Sequence, residues 1–202
     1  MKNVLFVAVL ALVVFVSCSR TGFVSILPEG CKLKAGDLVF RRGNGITSRA
    51  VLMADQRGGY SHVGIVVDSC GKMMVVHAVP DEPDYEGDID RVKMETPEKF
   101  FLSVNAKIGE VKRLKGDTAT AARAARYAVE VYERGVLFDH DYDDTDTTEM
   151  YCCELVEHVY KKAGLSLAGD TRHDILLPGM RLHCILPSDL CDNERLESII
   201  SF

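Results

Sequence analysis

The 202-residue sequence contains no Walker phosphate loop, no GxGxxG fingerprint, no GxSxG elbow and no HExxH pair. Each of those chemistries needs its residues at fixed spacing, so the nucleotide, serine-hydrolase and zincin readings fall away. A long basic run is also lacking. With a net charge of −6, this argues against nucleic acid or an acidic polymer as partner. There is no internal repeat and no low-complexity tract. The apolar run from Val4 to Val16 is shorter than the ~20 residues a bilayer-spanning helix needs. Regular cysteine spacing is missing as well. Six cysteines follow Cys18, namely Cys31, Cys70, Cys152, Cys153, Cys184 and Cys191. They form no disulfide framework, although Cys184 and Cys191 lie close enough in sequence to bridge.

What is present begins at the N-terminus. Lys2, the apolar run and Ser17-Cys18 read as an export signal over residues 1–17. A small residue directly before a cysteine at the end of such a run resembles the lipobox of bacterial lipoproteins, with Phe15 where that pattern prefers Leu. The resemblance implies a mature chain that starts at lipidated Cys18, held to a membrane but folded outside it. A plain secretory signal with an incidental Cys18 is the alternative. Residues 18–35 then read as lipidated terminus and linker, and residues 36–202 as one domain, ample to bury a core.

Within that domain, strand patterns occur at 36–42, 61–68, 72–79, 90–94 and 106–114, and helical spacing at 46–55, where Ile46, Ala50, Met53 and Ala54 fall in register. Thr96-Pro97 opens a helical turn. Residues 117–135 are the clearest helix, with Asp117 or Thr118 as cap and Gly135 as stop. A second helix is expected from about Met150 to Ala163, ended by Gly164. Beyond it, Pro178 and Pro187 predict irregular chain. Hairpins first and helices on either side indicate an α+β fold around a central antiparallel sheet packed against helices.

The chemistry centres on "EMYCCELVEHVYKKAG", residues 149–164. Leu155, Val156, Val159, Tyr160 and Ala163 define the buried face of this helix. Cys152 heads the same stripe, and Cys153 sits about 100° round. Both stand in the first turn, where unpaired N–H groups and the helix dipole favour a thiolate and can hold an oxyanion. Two small buried hydrophobes would be the bland reading. The hairpin 61–79 bears on the choice. A turn centred between Ser69 and Cys70 places His62 directly opposite His77, with Cβ atoms about 5 Å apart, and a slip of two residues leaves them diagonal on one face. One imidazole beside a thiol can act as base and a second can fix its tautomer. A partly exposed polar pair, or a zinc site made of His62, His77 and Cys152 or Cys153, uses the same residues.

"GDLVFRRG", "YSHVGIVV", "VVHAV" and "YCCELV", in that order, resemble the YiiX-like family of circularly permuted papain-fold cysteine hydrolases. These are relatives of the NlpC-type cell-wall peptidases and of lecithin:retinol acyltransferase. The resemblance runs from about Gly36 to about Leu165. It implies a permuted papain-like (NlpC-type) fold, no cofactor, Cys152 as nucleophile, His62 as base and His77 as orienting residue. Cys153 departs from the family, which commonly has Ser there. The implied activity is that of an envelope-anchored cysteine amidase or peptidase. Its substrate would be a peptide or cell-wall amide, of the peptidoglycan stem type, cut through an acyl-enzyme on Cys152. A lipid-directed thioesterase or acyltransferase would use the same residues, as would a non-catalytic envelope protein. A large apolar groove beside Cys152 favours the lipid reading and a polar cleft near the acidic loop favours the amidase. His158 points away from Cys152 round the helix, and His140, His173 and His183 read as surface or loop residues. Asp139, Asp141, Asp143, Asp144 and Asp146 lack the glycine and closing glutamate of a calcium loop. They read as a solvated loop that can also receive a cationic substrate group.

Overall fold

The computed structural model describes residues 24–177 and 180–202. The expected signal segment and Cys18 lie outside these residues. Five strands come first, interrupted by two short helices: β1 (Leu38–Arg42), α1 (Ile46–Ala54), β2 (His62–Ser69), β3 (Lys72–Val79), β4 (Arg91–Glu95), α2 (Pro97–Phe100) and β5 (Ile108–Leu114). Two longer helices follow, α3 (Thr118–Glu133) and α4 (Cys152–Lys162). The chain then continues through β6 (His173–Leu177), β7 (Met180–Cys184), α5 (Pro187–Cys191) and β8 (Leu196–Ser201). Six strands form one antiparallel sheet in the order β4-β3-β2-β1-β5-β8, and β6 and β7 form a separate hairpin.

Both faces of the sheet are covered, which is why "VGIVV" reads as an unbroken apolar run rather than an alternation. Val63, Ile65 and Val67 of β2 pack with α3 and α4, the latter through Leu155, Val156, Val159 and Tyr160. The alanines of α3, Ala121, Ala124, Ala125 and Ala128, add to this layer. Each fully buried Leu or Val there contributes about 1.5–3 kcal/mol. On the other face Val39, Val66, Val75 and Val111 meet Phe100 and Phe101 at the end of α2. Asp117 caps α3 by accepting from the Thr120 N–H at 2.9 Å, and Thr96 caps α2 by accepting from Lys99 N–H at 3.2 Å.

Three expectations need correction. The β2–β3 turn is centred one residue later than the spacing suggested. Ser69 pairs with Lys72, and Cys70 and Gly71 both have positive φ, at 53° and 80°. That is the signature of a two-residue I′ turn, for which Gly71 supplies the conformational freedom. Ile65 therefore faces Val76, and continuing the register puts Gly64, not His62, opposite His77. The two histidines sit diagonally on one face. A Cβ at position 64 would lie 2.6 Å from Val75 Cγ1 and 3.2 Å from His77 Cβ, so the glycine leaves room for the neighbouring strand's side chains.

The chain beyond α4 is also more regular than its prolines suggested. Pro187 occupies the first turn of α5, where its missing N–H is harmless, and β8 returns to pair with β5. Finally, Cys184 and Cys191 are unbridged. All six cysteines among the described residues are free thiols, and the Cys191 thiol points at Glu110 Oε2 at 3.6 Å. No helix among the described residues is long and apolar enough to cross a membrane.

Candidate active site

Helix α4 starts at the open end of the sheet. Tyr151, extended at φ −92° and ψ 173°, precedes it. Its N–H donates to Glu154 Oε2 at 3.2 Å, and its hydroxyl accepts from the Ile185 N–H at 2.8 Å. These contacts fix the first turn. Cys153 is 1 % exposed and belongs to the core, whereas Cys152 is only partly buried and faces a cavity. The two sulfurs are 3.9 Å apart. The burial difference separates the adjacent thiols: one is wall, the other is accessible.

His62 lies at the first position of β2, on the face opposite α4, yet its ring comes close enough to the Cys152 thiol round the strand end for each to shift the other's titration. The Val63 N–H also favours charge on that sulfur. Behind His62 the chain of contacts continues. His62 Nε2 is 2.8 Å from His77 Nδ1, and His77 Nε2 is 3.2 Å from Glu95 Oε1. An ionised carboxylate only accepts, so the nearby Glu95 favours a proton on His77 Nε2 and a lone pair at Nδ1, although the two atoms are not aligned as a hydrogen bond. His62 then donates from Nε2, which leaves the Nδ1 lone pair for Cys152. The Glu95 charge thus biases both tautomers. Phe100 stacks on His62 at 5.6 Å between centroids and meets His77 edge-on at 5.1 Å. Arg41, 2 % exposed, lies 4.5 Å over the other side of Phe100, donates to the Phe100 carbonyl at 2.6 Å and pairs with Glu82.

The electrostatics follow from this burial. Desolvation pushes His62 down to about 4, with Arg41 and His77 adding to the fall and Cys152 pulling the other way. His77 is lowered for the same first reason, opposed by Glu95. Burial raises Glu95, but the hydrogen bond and charge of His77, with Lys99 and Arg41, leave it below its usual value. The Cys152 thiol is held well below its ordinary value. The Cys153 hydrogen bond is the largest cause, burial opposes it, and His62 and the Val63 N–H add to it. Cys153 is raised well above its usual value by burial and then by Cys152. We take neutral His62 as the resting form, because a buried imidazolium flanked by Arg41 and His77 has little to stabilise it. In that form His62 is free to accept the Cys152 thiol proton, and Cys153 and Val63 help hold the thiolate that results.

The three expected site residues, Cys152, His62 and His77, are brought together. The remaining histidines are not. His140 pairs with Asp90 on the surface, His173 with Asp189, His183 with Asp174, and His158 lines a separate cleft with Glu154 and Glu157. In the acidic loop, Asp139 accepts from the N–H groups of Asp141 and Asp143 at 2.7 and 2.6 Å, and Asp144 pairs with Arg172. Its carboxylates therefore serve largely to close the loop. Glu95, Phe100 and Arg41 were not found from the sequence. Glu95 shares parity with Lys93, which pairs with His77 across β3 and β4, but that register is not readable from the sequence.

A zinc ion does not fit this arrangement. The His62 and His77 nitrogens 2.8 Å apart face each other as a hydrogen-bonded pair, and one zinc at roughly 2.0–2.1 Å from both would see them well inside the tetrahedral angle. His62 Nδ1 and the Cys152 sulfur alone make an incomplete set. Among the described residues no group of three or more His, Cys, Asp or Glu is placed to hold a metal.

Two cavities meet at Ile46 and Thr47. One, of about 560 Å³, has a mixed wall in which Arg41, Asn44, Ser61, His62, Asp81 and Glu82 stand beside Val79, Pro80 and Val104. The other, of about 260 Å³, runs from Cys152 and Cys153 past Val51, Ile175, Leu182 and Ile185.

A family model described as "Permuted papain-like amidase enzyme, YaeF/YiiX, C92 family" matches residues 32–200. Among solved structures, the chain is similar to one titled as the metalloprotein yiiX of Escherichia coli O157:H7. The TM-score is 0.67 at 19% sequence identity, over 85% of this chain and 99% of that one. That likeness shows the fold. No curated protein matches the chain.

Proposed function

Because the chain belongs to the C92 family of permuted papain-like amidases, the YaeF/YiiX type, we propose that it is a cysteine amidase working through an acyl-enzyme on Cys152. The observation that carries this reading is the line Cys152, His62, His77, Glu95, with the accessible thiol at the start of α4 and the base poised beside it. The Cys152 thiolate attacks the amide carbonyl, and first-turn N–H groups of α4 receive the negative oxygen. His62, having taken the thiol proton at Nδ1, returns it to the leaving amine as the C–N bond breaks. A water, deprotonated by the same nitrogen, then attacks the thioester, which releases a carboxylic acid and the free thiol. His77 and Glu95 keep the imidazole in the required tautomer and offset its charge while it holds the extra proton. No cofactor enters these steps.

The substrate in this reading is an amide of the peptide or peptidoglycan-stem type; the apolar cavity beside Cys152 favours, as a second reading, a substrate with a lipid-like acyl half. The site of action is the bacterial envelope, with the domain tethered to a membrane through lipidated Cys18. The lipobox-like Ser17-Cys18 supports the anchor. Two measurements test the proposal. Intact-mass analysis during turnover of a peptide amide is expected to show an acyl adduct on Cys152, with turnover lost by at least about 10³-fold in Cys152→Ala. Turnover that survives Cys152→Ala would sink the mechanism. For the anchor, Cys18→Ser is expected to abolish lipid incorporation and release the protein from membranes. Unchanged partitioning would refute the tether.

A further inference from the structure

We propose that the site is built for an amphipathic amide, with an uncharged aliphatic acyl half and a polar amine half. This rests on Cys152 as nucleophile and specifies what the site accepts. The acyl carbon becomes bonded to the Cys152 sulfur, so the acyl half must occupy space beside that thiol. The leaving amine must take its proton from His62, so the amine half must lie beside that ring. The two cavities divide in this way: Cys152 and Cys153 line the smaller one and His62 does not, while His62 lines the larger one and the thiols do not.

Their chemistries differ accordingly. Among the described residues no charged side chain lines the cavity at Cys152; its walls are Ala50, Val51 and Ala54 of α1, Ile175 of β6, and Leu182 and Ile185 beyond. An apolar cavity of about 150 Å³ already accepts a benzene ring, so about 260 Å³ has room for a longer aliphatic chain. An acyl half carrying charge would be desolvated there without a partner. Ile46, shared by both cavities, is 86 % exposed. The His62 cavity, in contrast, carries Arg41, Asp81 and Glu82, with Arg41 Nε and Asn44 Oδ1 lacking partners. It suits a polar amine with hydrogen-bonding groups of its own.

The covalent step is the one already given. Sulfur adds to the carbonyl carbon, the bond to the leaving group breaks, the proton passes from His62 to the leaving group, and water later regenerates the thiol. The inference concerns which half goes where.

The test uses the whole purified protein and 4-nitrophenyl esters of acetate, butyrate, hexanoate and octanoate. The acylation rate of Cys152 is read by mass spectrometry and divided by that of free cysteine. A buried methylene is worth roughly fourfold, so even partial burial predicts a rise of at least about tenfold from acetyl to hexanoyl. Ala50→Asp, at an exposed helix position that lines the cavity, is expected to flatten that rise, with circular dichroism confirming the fold. Ala50→Trp, which fills the space without charge, is expected to act most strongly against octanoyl. A rate independent of chain length, or a dependence that both variants leave intact, would overturn the inference. Iodoacetamide separates the two levels. Rapid alkylation of Cys152 with a flat ester series refutes the acyl cavity alone, while a thiol inert to iodoacetamide and to every ester refutes the nucleophile as well.

Discussion

At the scale of single residues, the site depends on a carboxylate that never touches the substrate. Glu95 is two residues from Lys93, the strand partner of His77, and 3.2 Å from the His77 ring. Removing it lets His77 adopt the other tautomer, after which His62 carries its proton toward Cys152 and loses its lone pair there. Glu95→Ala is therefore expected to lower kcat by roughly 10–100-fold with little change in KM. A change confined to KM would mean that Glu95 acts on binding and not on the base. Neutral His62, held near 4, predicts that the acid limb of the rate profile falls near pH 4 and not near the ordinary histidine value of about 6.5. Cys152, His62 and His77 were legible in the sequence because helix spacing and strand parity act over a few residues. Glu95 was not, because the acidic loop of residues 80–90 hides how β4 aligns with β3.

At the scale of elements, α4 begins with a carboxyl group out of its ordinary state. Glu154 accepts from the Tyr151 N–H and is pushed up to about 9, first by burial and then by Asp139, Asp144 and Asp146, with the Tyr151 N–H pulling the other way. A carboxyl raised in the folded state binds its proton more tightly than in the unfolded chain. Its stabilisation is complete below the unfolded value of 4.5 and is lost as pH rises from there through about 9. Glu154→Gln keeps an acceptor for Tyr151 without the titration. Its Tm is expected to match the parent near about pH 4.5 and exceed it by ~10 °C or more near about pH 8.5, at roughly 2–4 °C per kcal/mol. Equal Tm values at both pH values would contradict a neutral Glu154. Helices α3 and α4 and strands β1 to β5 followed from local periodicity. The hairpin register did not follow from histidine spacing, since the positive φ at Cys70 and Gly71 sets it.

At the scale of the whole molecule, the C-terminal strand supports the site from behind. Phe202 exchanges backbone hydrogen bonds with Gly109 at 2.7 and 2.9 Å. Its ring lies 5.0 Å from Phe101, which lies 4.8 Å from Phe100, the ring stacked on His62. An aromatic file thus runs from residue 202 to the base. Phe202→Ala is expected to cost about 1–3 kcal/mol in urea denaturation, less than a fully buried phenylalanine. A loss within about 0.5 kcal/mol would show that the file carries no load. Strand β8 was not legible because "LESIIS" pairs with β5 from some eighty residues away, and no local pattern names that partner.

The central claim is that His62 and its neighbours make Cys152, and not Cys153, a reactive thiol. The most direct test is the iodoacetamide alkylation rate at each cysteine from about pH 4 to about 9, resolved by tandem mass spectrometry, with His62→Ala alongside. Expected are fast modification of Cys152 below neutral pH, slowed in His62→Ala, and a Cys153 that stays protected. A Cys152 that titrates like free cysteine regardless of residue 62, or a Cys153 that reacts first, would contradict it.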